Sequence, residues 1–300
     1  MHRLLVVLPR WIFVLLALGA ALAHTAAPVS AQVPAELVAS DTVYEVQLAD
    51  GSTIIGRVAA VAGDRITFET QAGVRVQVDR AQIRSLRPTC GTRGGGKFVW
   101  EDPNKTRLFF APTGRTLAAG EGYFGVFELV FAFLSFGATD WLTLSGGLPL
   151  IFIDEAPPLF YLAPKARIIS TPSAQVSAGV FTLFSLSGEG GFGGIAYGVG
   201  TFGSNDRALT VGAGLPFGED DIGSQPLIML GGESRIGRGT KLLTENYFVP
   251  GEAGAIISGG VRFFGERLSA DVGLATPVGF GGGFFAFPLV NFTYSFGRRR

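Results

Sequence analysis

Residues 290–296 read Val-Asn-Phe-Thr-Tyr-Ser-Phe, and this stretch decides the fold class. Every second residue is large and apolar, and the residues between them are small and polar. Segments 208–215 and 268–274 alternate in the same way. Because successive side chains of a strand point to opposite faces, each segment predicts a strand with one apolar and one polar or small face.

The composition favours a membrane protein built from strands. The chain has 44 glycines and 26 phenylalanines, only 16% charged residues and a mean hydropathy of +0.38. Beyond the N-terminal region, no segment offers the roughly 20 apolar residues that a spanning helix needs. Tyr123–Phe136 comes closest but contains Glu128. High apolarity without such a helix is typical of membrane strands, in which only every second residue must face lipid.

About twelve candidate strands, separated by turn-forming residues, follow Phe98. They cover residues 105–112, 121–136, 140–153, 158–170, 174–187, 191–203, 206–217, 225–236, 239–249, 254–264, 267–276 and 284–296. The sequence therefore predicts an all-β fold, an antiparallel transmembrane-type β-barrel over residues 98–297, with a basic tail at 298–300.

The N-terminus is typical of an export signal over residues 1–31. Arg3 and Arg10 flank the start of an apolar run, and Val29-Ser30-Ala31 offers a cleavage site of small residues. The alternative is an uncleaved N-terminal anchor. Residues 32–41 are predicted to be a linker.

Residues 42–88 are predicted to be a small periplasmic β-domain, and residues 89–97 a Gly-rich hinge. Turns such as Asp50-Gly51 and Gly63-Asp64 separate alternating segments of the domain. With Ile55–Val58 and Ile83–Leu86, these turns resemble those of Sm-like or SH3-like small barrels. The resemblance implies a small barrel with a protein-contact or spacer role.

Charged residues inside the predicted strands are candidate lumen charges, because a lipid-facing Arg or Lys at the midplane costs about 2–4 kcal/mol. They are Glu128, Lys165, Arg167, Glu233, Arg235, Glu245, Arg262 and Asp271. Because the set contains charges of both signs, we expect ion pairs between these side chains inside a crowded lumen. The alternative is a conduction path that these charges line.

Two further stretches carry resemblances. The alternating residues Val290, Phe292, Tyr294 and Phe296 resemble the terminal β-signal recognised by the barrel-assembly machinery of the outer membrane, although residues 297–300 follow it. Residues 100–147, with Thr-Arg-Leu-Phe-Phe-Ala-Pro-Thr-Gly-Arg at 106–115, resemble uncharacterised exported bacterial proteins with a β-barrel. That resemblance implies a barrel and no known reaction.

Several chemistries are excluded by residue content. The only histidines are His2 and His24, both inside the predicted signal, so the mature chain has no histidine base. One cysteine, Cys90, cannot form an internal disulfide, and histidine- or cysteine-based metal sites are also excluded. We predict no catalytic residues, no cofactor and no metal. Removing residues 1–31 would leave 22 basic and 24 acidic residues, which gives no reason to expect nucleic-acid binding.

The sequence leaves two functions open for a non-enzymatic barrel in the bacterial outer membrane. The first is a structural or interaction protein, surrounded by lipid, whose small domain reaches a periplasmic partner. The second is a narrow passive channel or transporter for small or apolar molecules.

Overall fold

A computed structural model describes residues 37, 39, 42–70, 72–88, 91–94, 97–150, 159–185, 192–218, 222–251, 254–279 and 285–297. Two compact units divide between Thr89 and Cys90. The predicted signal peptide, most of the predicted linker and the basic tail lie outside the described residues. In the part of the chain that is described, no helix has the length and apolarity needed to cross a membrane.

The first unit is a five-stranded antiparallel sheet. Its strands are β1 (Val43–Leu48), β2 (Thr53–Ala62), β3 (Arg65–Thr70), β4 (Arg75–Asp79) and β5 (Ile83–Pro88), with a 3-10 turn at Arg80–Gln82. The order is β4-β3-β2-β1-β5, so β4 and β5 lie at the two edges and no described pairing joins them. Val46, Val58, Ile66 and Phe68 form the buried centre of its core. The sheet is open, so the small-barrel prediction is not confirmed.

The second unit begins with a hairpin and a long irregular segment. Strands β6 (Gly91–Gly94) and β7 (Lys97–Trp100) pair with each other, so part of the predicted hinge is a two-stranded hairpin. Residues 101–121, here called the lumen segment, then connect this hairpin to the first wall strand. The predicted strand 105–112 belongs to this segment and is wrong, so the barrel wall begins at Gly122 and not at Phe98.

The wall is a closed antiparallel barrel with twelve strand positions. Its strands are β8 (Gly122–Phe127), β9 (Phe131–Gly137), β10 (Leu142–Pro149), β11 (Leu159–Leu162), β12 (Lys165–Ser170), β13 (Ala174–Ser185), β14 (Gly193–Gly203), β15 (Arg207–Gly218), β16 (Leu227–Gly237), β17 (Thr240–Phe248), β18 (Ala255–Phe264), β19 (Leu268–Val278) and β20 (Phe287–Phe296). Strands β11 and β12 both pair with β10 and β13 and share one position, interrupted at Ala163-Pro164 because proline has no N–H for the ladder. Pairing of β20 with β8 closes the barrel.

The predicted number of strands is confirmed, but two errors cancel within it. The segment 105–112 is not a strand, and the predicted strand 121–136 is two strands, β8 and β9. Glu128 and Leu129 turn the chain between them with φ of 50° and 62°. Such angles are uncommon outside glycine and asparagine, so the residue types there gave no turn signal.

Side-chain burial follows the predicted alternation. In β15, Leu209, Val211 and Leu215 are exposed, whereas Ala208 and Thr210 are buried. The outer face of the barrel is therefore apolar. The inner face carries polar, charged and small residues, together with aromatic residues such as Tyr123, Phe127 and Phe133.

The two ends of the barrel differ in the length of their connections. Five connections of two to four residues, such as 204–206 and 238–239, lie at the end where β8 begins and β20 stops. At the other end, the connections have six to nine residues, apart from the turn between β8 and β9. We call these the short-turn end and the long-loop end.

Candidate functional site

The lumen segment lies inside the barrel, in the half next to the short-turn end. It folds back on itself, with the Leu108 N–H donating to Ala111 O at 2.9 Å and the Thr113 N–H to Thr106 O at 2.9 Å. Phe109 and Phe110 form the tip of this loop. Side chains of wall strands on all sides contact the segment: Tyr123, Thr143, Lys165, Ser177, Thr201, Glu233, Lys241, Arg262, Asp271 and Thr293.

Ion pairs bind the segment to three adjacent strands. Asp102 lies 3.0 Å from Lys241 Nζ in β17 and 3.2 Å from Arg262 Nη1 in β18. Arg262 Nε also lies 2.6 Å from Asp271 Oδ1 in β19. Burial alone would raise the pKa of Asp102, but the opposing charges of Arg262 and Lys241 hold it well below its ordinary value. Asp102 is therefore ionised inside the barrel.

The same network continues to both sides. Arg107 of the segment lies 3.1 Å from Asp271. Lys241 lies 2.7 Å from Glu233 in β16, and Glu233 also pairs with Arg115 of the segment. Breaking a buried pair by removing one partner is strongly destabilising, so each of these contacts resists withdrawal of the segment.

Wall side chains also supply hydrogen-bond partners for the segment's backbone. Glu245 Oε2 accepts from the Phe110 and Ala111 N–H groups at 2.9 and 3.0 Å. Lys165 Nζ donates to Thr106 O and Thr113 O at 3.0 and 2.8 Å. A buried irregular backbone needs such partners because it has no ladder of its own.

Gly114 brings the segment against the wall. Its N–H donates to Thr201 Oγ1 at 2.9 Å, and its carbonyl accepts from Ser177 Oγ at 2.8 Å. A Cβ at this position would collide with the backbone carbonyl oxygen of Gln175 in β13. Only glycine allows this approach.

The other half of the lumen is a cavity of about 820 Å³. It extends from the tip of the lumen segment toward the long-loop end, where Phe131, Leu183, Ile195 and Leu227 line it close to the ends of their strands. Its aromatic lining is Phe109, Phe110, Tyr123, Phe127, Phe131, Phe133, Tyr161, Phe181, Tyr197, Tyr247 and Phe287. Arg107, Lys165 and Glu245 line its floor, where it meets the segment. Its size is in the range of small-molecule sites, about 300–1,000 Å³.

The structure separates the predicted lumen charges into three groups. Lys165, Glu233, Glu245, Arg262 and Asp271 are buried in the lumen around the segment. Arg235 is half-buried at the short-turn end, 2.6 Å from Asp206, and Arg167 is half-buried next to a register shift in β12. Glu128 lies in the exposed β8–β9 turn and not within a strand, and its carboxylate accepts from the Val290 N–H at 3.2 Å. It lines the cavity at the long-loop end.

Four buried charges of the site were missing from the predicted set. They are Asp102, Arg107, Arg115 and Lys241. The first three lie in residues 101–121, of which 105–112 was predicted to be a wall strand. An excess of charge in apolar surroundings between Glu101 and Arg115 was the available signal.

The predicted assembly signal lies on the last strand. Phe292 and Tyr294 are exposed on its outer face, and β20 pairs with β8 and β19. Recognition by the assembly machinery stays a prediction.

No family model matches the chain, and no curated protein matches it. Among solved structures, the chain is similar to the KdgM porin, at 9% identity and a TM-score of 0.45 over 59% of this chain and 98% of that one. It is also similar to OmpT, an outer-membrane protein of Vibrio cholerae, at 12% identity and a TM-score of 0.33 over 87% and 100% of the two chains. A third similar structure is Pseudomonas aeruginosa OccK5, at 9% identity and a TM-score of 0.35 over 84% and 95%. At these identities and TM-scores, the similarities do not indicate a shared function.

Proposed function

We propose that this protein is a β-barrel of the bacterial outer membrane that acts as a passive transporter. Its lumen binds the transported substrate, a small apolar molecule. The observation that carries the proposal is the aromatic cavity of about 820 Å³, which the lumen segment closes on one side. This favours the second of the two functions that the sequence left open. The interaction role of the N-terminal unit stays a prediction.

The outer face supports the membrane location. Large apolar side chains are exposed along the wall strands, including Phe124, Leu134, Leu209, Val272 and Phe292 at 48–52% and Leu274 at 59%. Soluble monomers rarely expose contiguous apolar surface on this scale. A face of this kind is stable in lipid, and export through the predicted signal at residues 1–31 would deliver the chain to the outer membrane.

The orientation follows from the connections. In bacterial barrels, short turns face the periplasm and longer loops face outward. The cavity would then open outward, and the lumen segment would close the periplasmic half. The buried ion pairs of the segment argue against a permanently open water-filled pore.

A binding experiment with matched variants tests this function. Gly212 faces inward and lines the cavity, and a Cβ there would meet Met229 Cε at an ordinary 3.4 Å. Val211, the preceding residue in β15, faces outward and does not line the cavity. We expect the full chain in a non-ionic amphipol to bind the apolar fluorophore N-phenyl-1-naphthylamine saturably, and Gly212→Phe to weaken this binding at least about tenfold because the ring occupies the cavity.

Val211→Phe places the same ring on the outer face and should leave the affinity unchanged. The proposal is wrong if the wild-type chain shows no saturable binding, or if the two variants behave alike.

A further inference from the structure

The floor of the apolar cavity carries two buried cations. Arg107 and Lys165 both line the cavity, and each is only 4% exposed. A purely apolar ligand would offer these two cations no acceptor for a hydrogen bond and no opposite charge. Their hydrogen bonding therefore bears on the chemistry of the ligand.

Lys165 has no counterion among the described residues. Its ammonium group donates to two backbone carbonyls, Thr106 O at 3.0 Å and Thr113 O at 2.8 Å. An ammonium group has three N–H donors, so one is left for a further acceptor. Since Lys165 lines the cavity, that acceptor can come from a bound molecule.

Arg107 has an unused donor of its own. Its Nη atoms reach Asp271 Oδ2 at 3.1 Å and Thr293 Oγ1 at 3.0 Å, whereas its buried Nε has no hydrogen-bond partner in the described part of the chain. The rings of Phe127 and Phe133 lie 5.1 and 5.3 Å from its guanidinium carbon. The Nε donor is itself buried, so Arg107 contributes its positive charge to the floor and not a hydrogen bond to the ligand.

The charges around the lumen segment do not balance. The buried cations that the structure describes there are Arg107, Arg115, Lys165, Lys241 and Arg262, and the buried carboxylates are Asp102, Glu233, Glu245 and Asp271. The five cations exceed the four carboxylates by one positive charge. Glu128, a further carboxylate that lines the cavity, is exposed in the β8–β9 turn at the long-loop end, away from the floor. A ligand with a single negative charge would neutralise the floor.

We infer that the ligand is a single-tailed amphiphile with a monoanionic head, such as a fatty-acid carboxylate. The head group accepts from Lys165 Nζ at the floor, beside the positive charge of Arg107, and the tail extends along the aromatic wall toward the long-loop end. This inference rests on the proposed function and adds the identity of the head group.

Competition between ligands whose alkyl tails have equal length tests the inference. The full protein in non-ionic amphipol is first loaded with N-phenyl-1-naphthylamine. Dodecanoate, dodecanol or dodecyltrimethylammonium is then added to displace the fluorophore. A protein-free blank corrects for partition of the ligands into the polymer. We expect dodecanoate to bind at least about tenfold more tightly than dodecanol, and dodecyltrimethylammonium to bind most weakly.

A pair of lysine variants assigns the effect to the floor. Lys165→Met should lower the affinity for dodecanoate about tenfold and leave that for dodecanol unchanged, because only the carboxylate loses a partner. Lys105→Met is the control, since Lys105 pairs with Glu101 at 2.6 Å in the same segment and does not line the cavity.

The outcomes separate the two proposals. If dodecanol competes as well as dodecanoate on the wild-type chain, the head-group inference is overturned and the apolar cavity stands. An equal loss for both ligands in Lys165→Met also overturns it. If the fluorophore itself does not bind, both proposals fail.

Discussion

Arg262 connects more of the lumen than any other single side chain described here. Its Nε and Nη2 reach both oxygens of Asp271 at 2.6 and 3.0 Å, and Nη1 reaches Asp102 at 3.2 Å. It also donates to the carbonyls of Asn104, Arg107 and Leu108. A planar guanidinium serves such a site because its five donors point in fixed directions.

Arg262→Met should therefore destabilise the folded barrel strongly. The variant leaves two buried carboxylates and three carbonyls without this partner, at a cost of about 3–5 kcal/mol. We expect the temperature at which the unboiled gel band shifts to its unfolded mobility to fall by roughly 10 °C. Arg267→Met, in the exposed turn before β19, is the control. Equal transition temperatures for the two variants would show that the network contributes little.

At the scale of elements, the lumen segment is the part of the chain that local patterns misassigned. Residues 105–112 have the apolar character of a strand, but their backbone is bonded to wall side chains and not to a neighbouring strand. The β8–β9 turn was also missed, because Glu128 and Leu129 are not turn-forming residue types. Both features depend on contacts made after the barrel closes.

Gly114→Val should loosen the lumen segment. The new side chain collides with the β13 backbone at Gln175, so Gly114 must move away from Thr201 and Ser177. We expect the wild-type chain to show low conductance in planar bilayers and Gly114→Val to show frequent larger openings. Ala119→Val, at an exposed position of the same segment, should behave as wild type. High conductance of the wild-type chain would contradict a segment that closes the lumen.

For the whole molecule, the location in lipid makes a depth-dependent prediction. Val272 and Leu268 both face outward from β19, at 49% and 65% exposure, but Val272 lies near the middle of the strand and Leu268 begins it. In a bilayer, an arginine costs about 2–4 kcal/mol at the midplane and about 0–1 kcal/mol near the interface. In water, the two positions would tolerate arginine equally.

Val272→Arg should thus lower the yield of folded protein in the outer-membrane fraction much more than Leu268→Arg does. Folded protein is recognised by the heat-dependent shift of its gel mobility. The measurement is the ratio of folded to unfolded bands in the outer-membrane fraction. Recovery of the wild-type chain as a soluble periplasmic protein would contradict the membrane location, as would equal yields of the two variants.

The alternation of residues along the chain was enough to predict an antiparallel β-barrel, the wall strands from β10 to β20 and the apolar outer face. These follow from a period of two, which is a local property of each strand. Contacts formed in the folded barrel place residues 101–121 in half of the lumen and join Asp102 to Lys241 and Arg262. They also leave Lys165 without a counterion among the residues that the structure describes. These features depend on contacts between residues far apart in the chain, such as Arg107 and Asp271, which are separated by 164 positions. No local pattern encodes such a contact, because burial and charge pairing are settled only when the barrel closes around the segment.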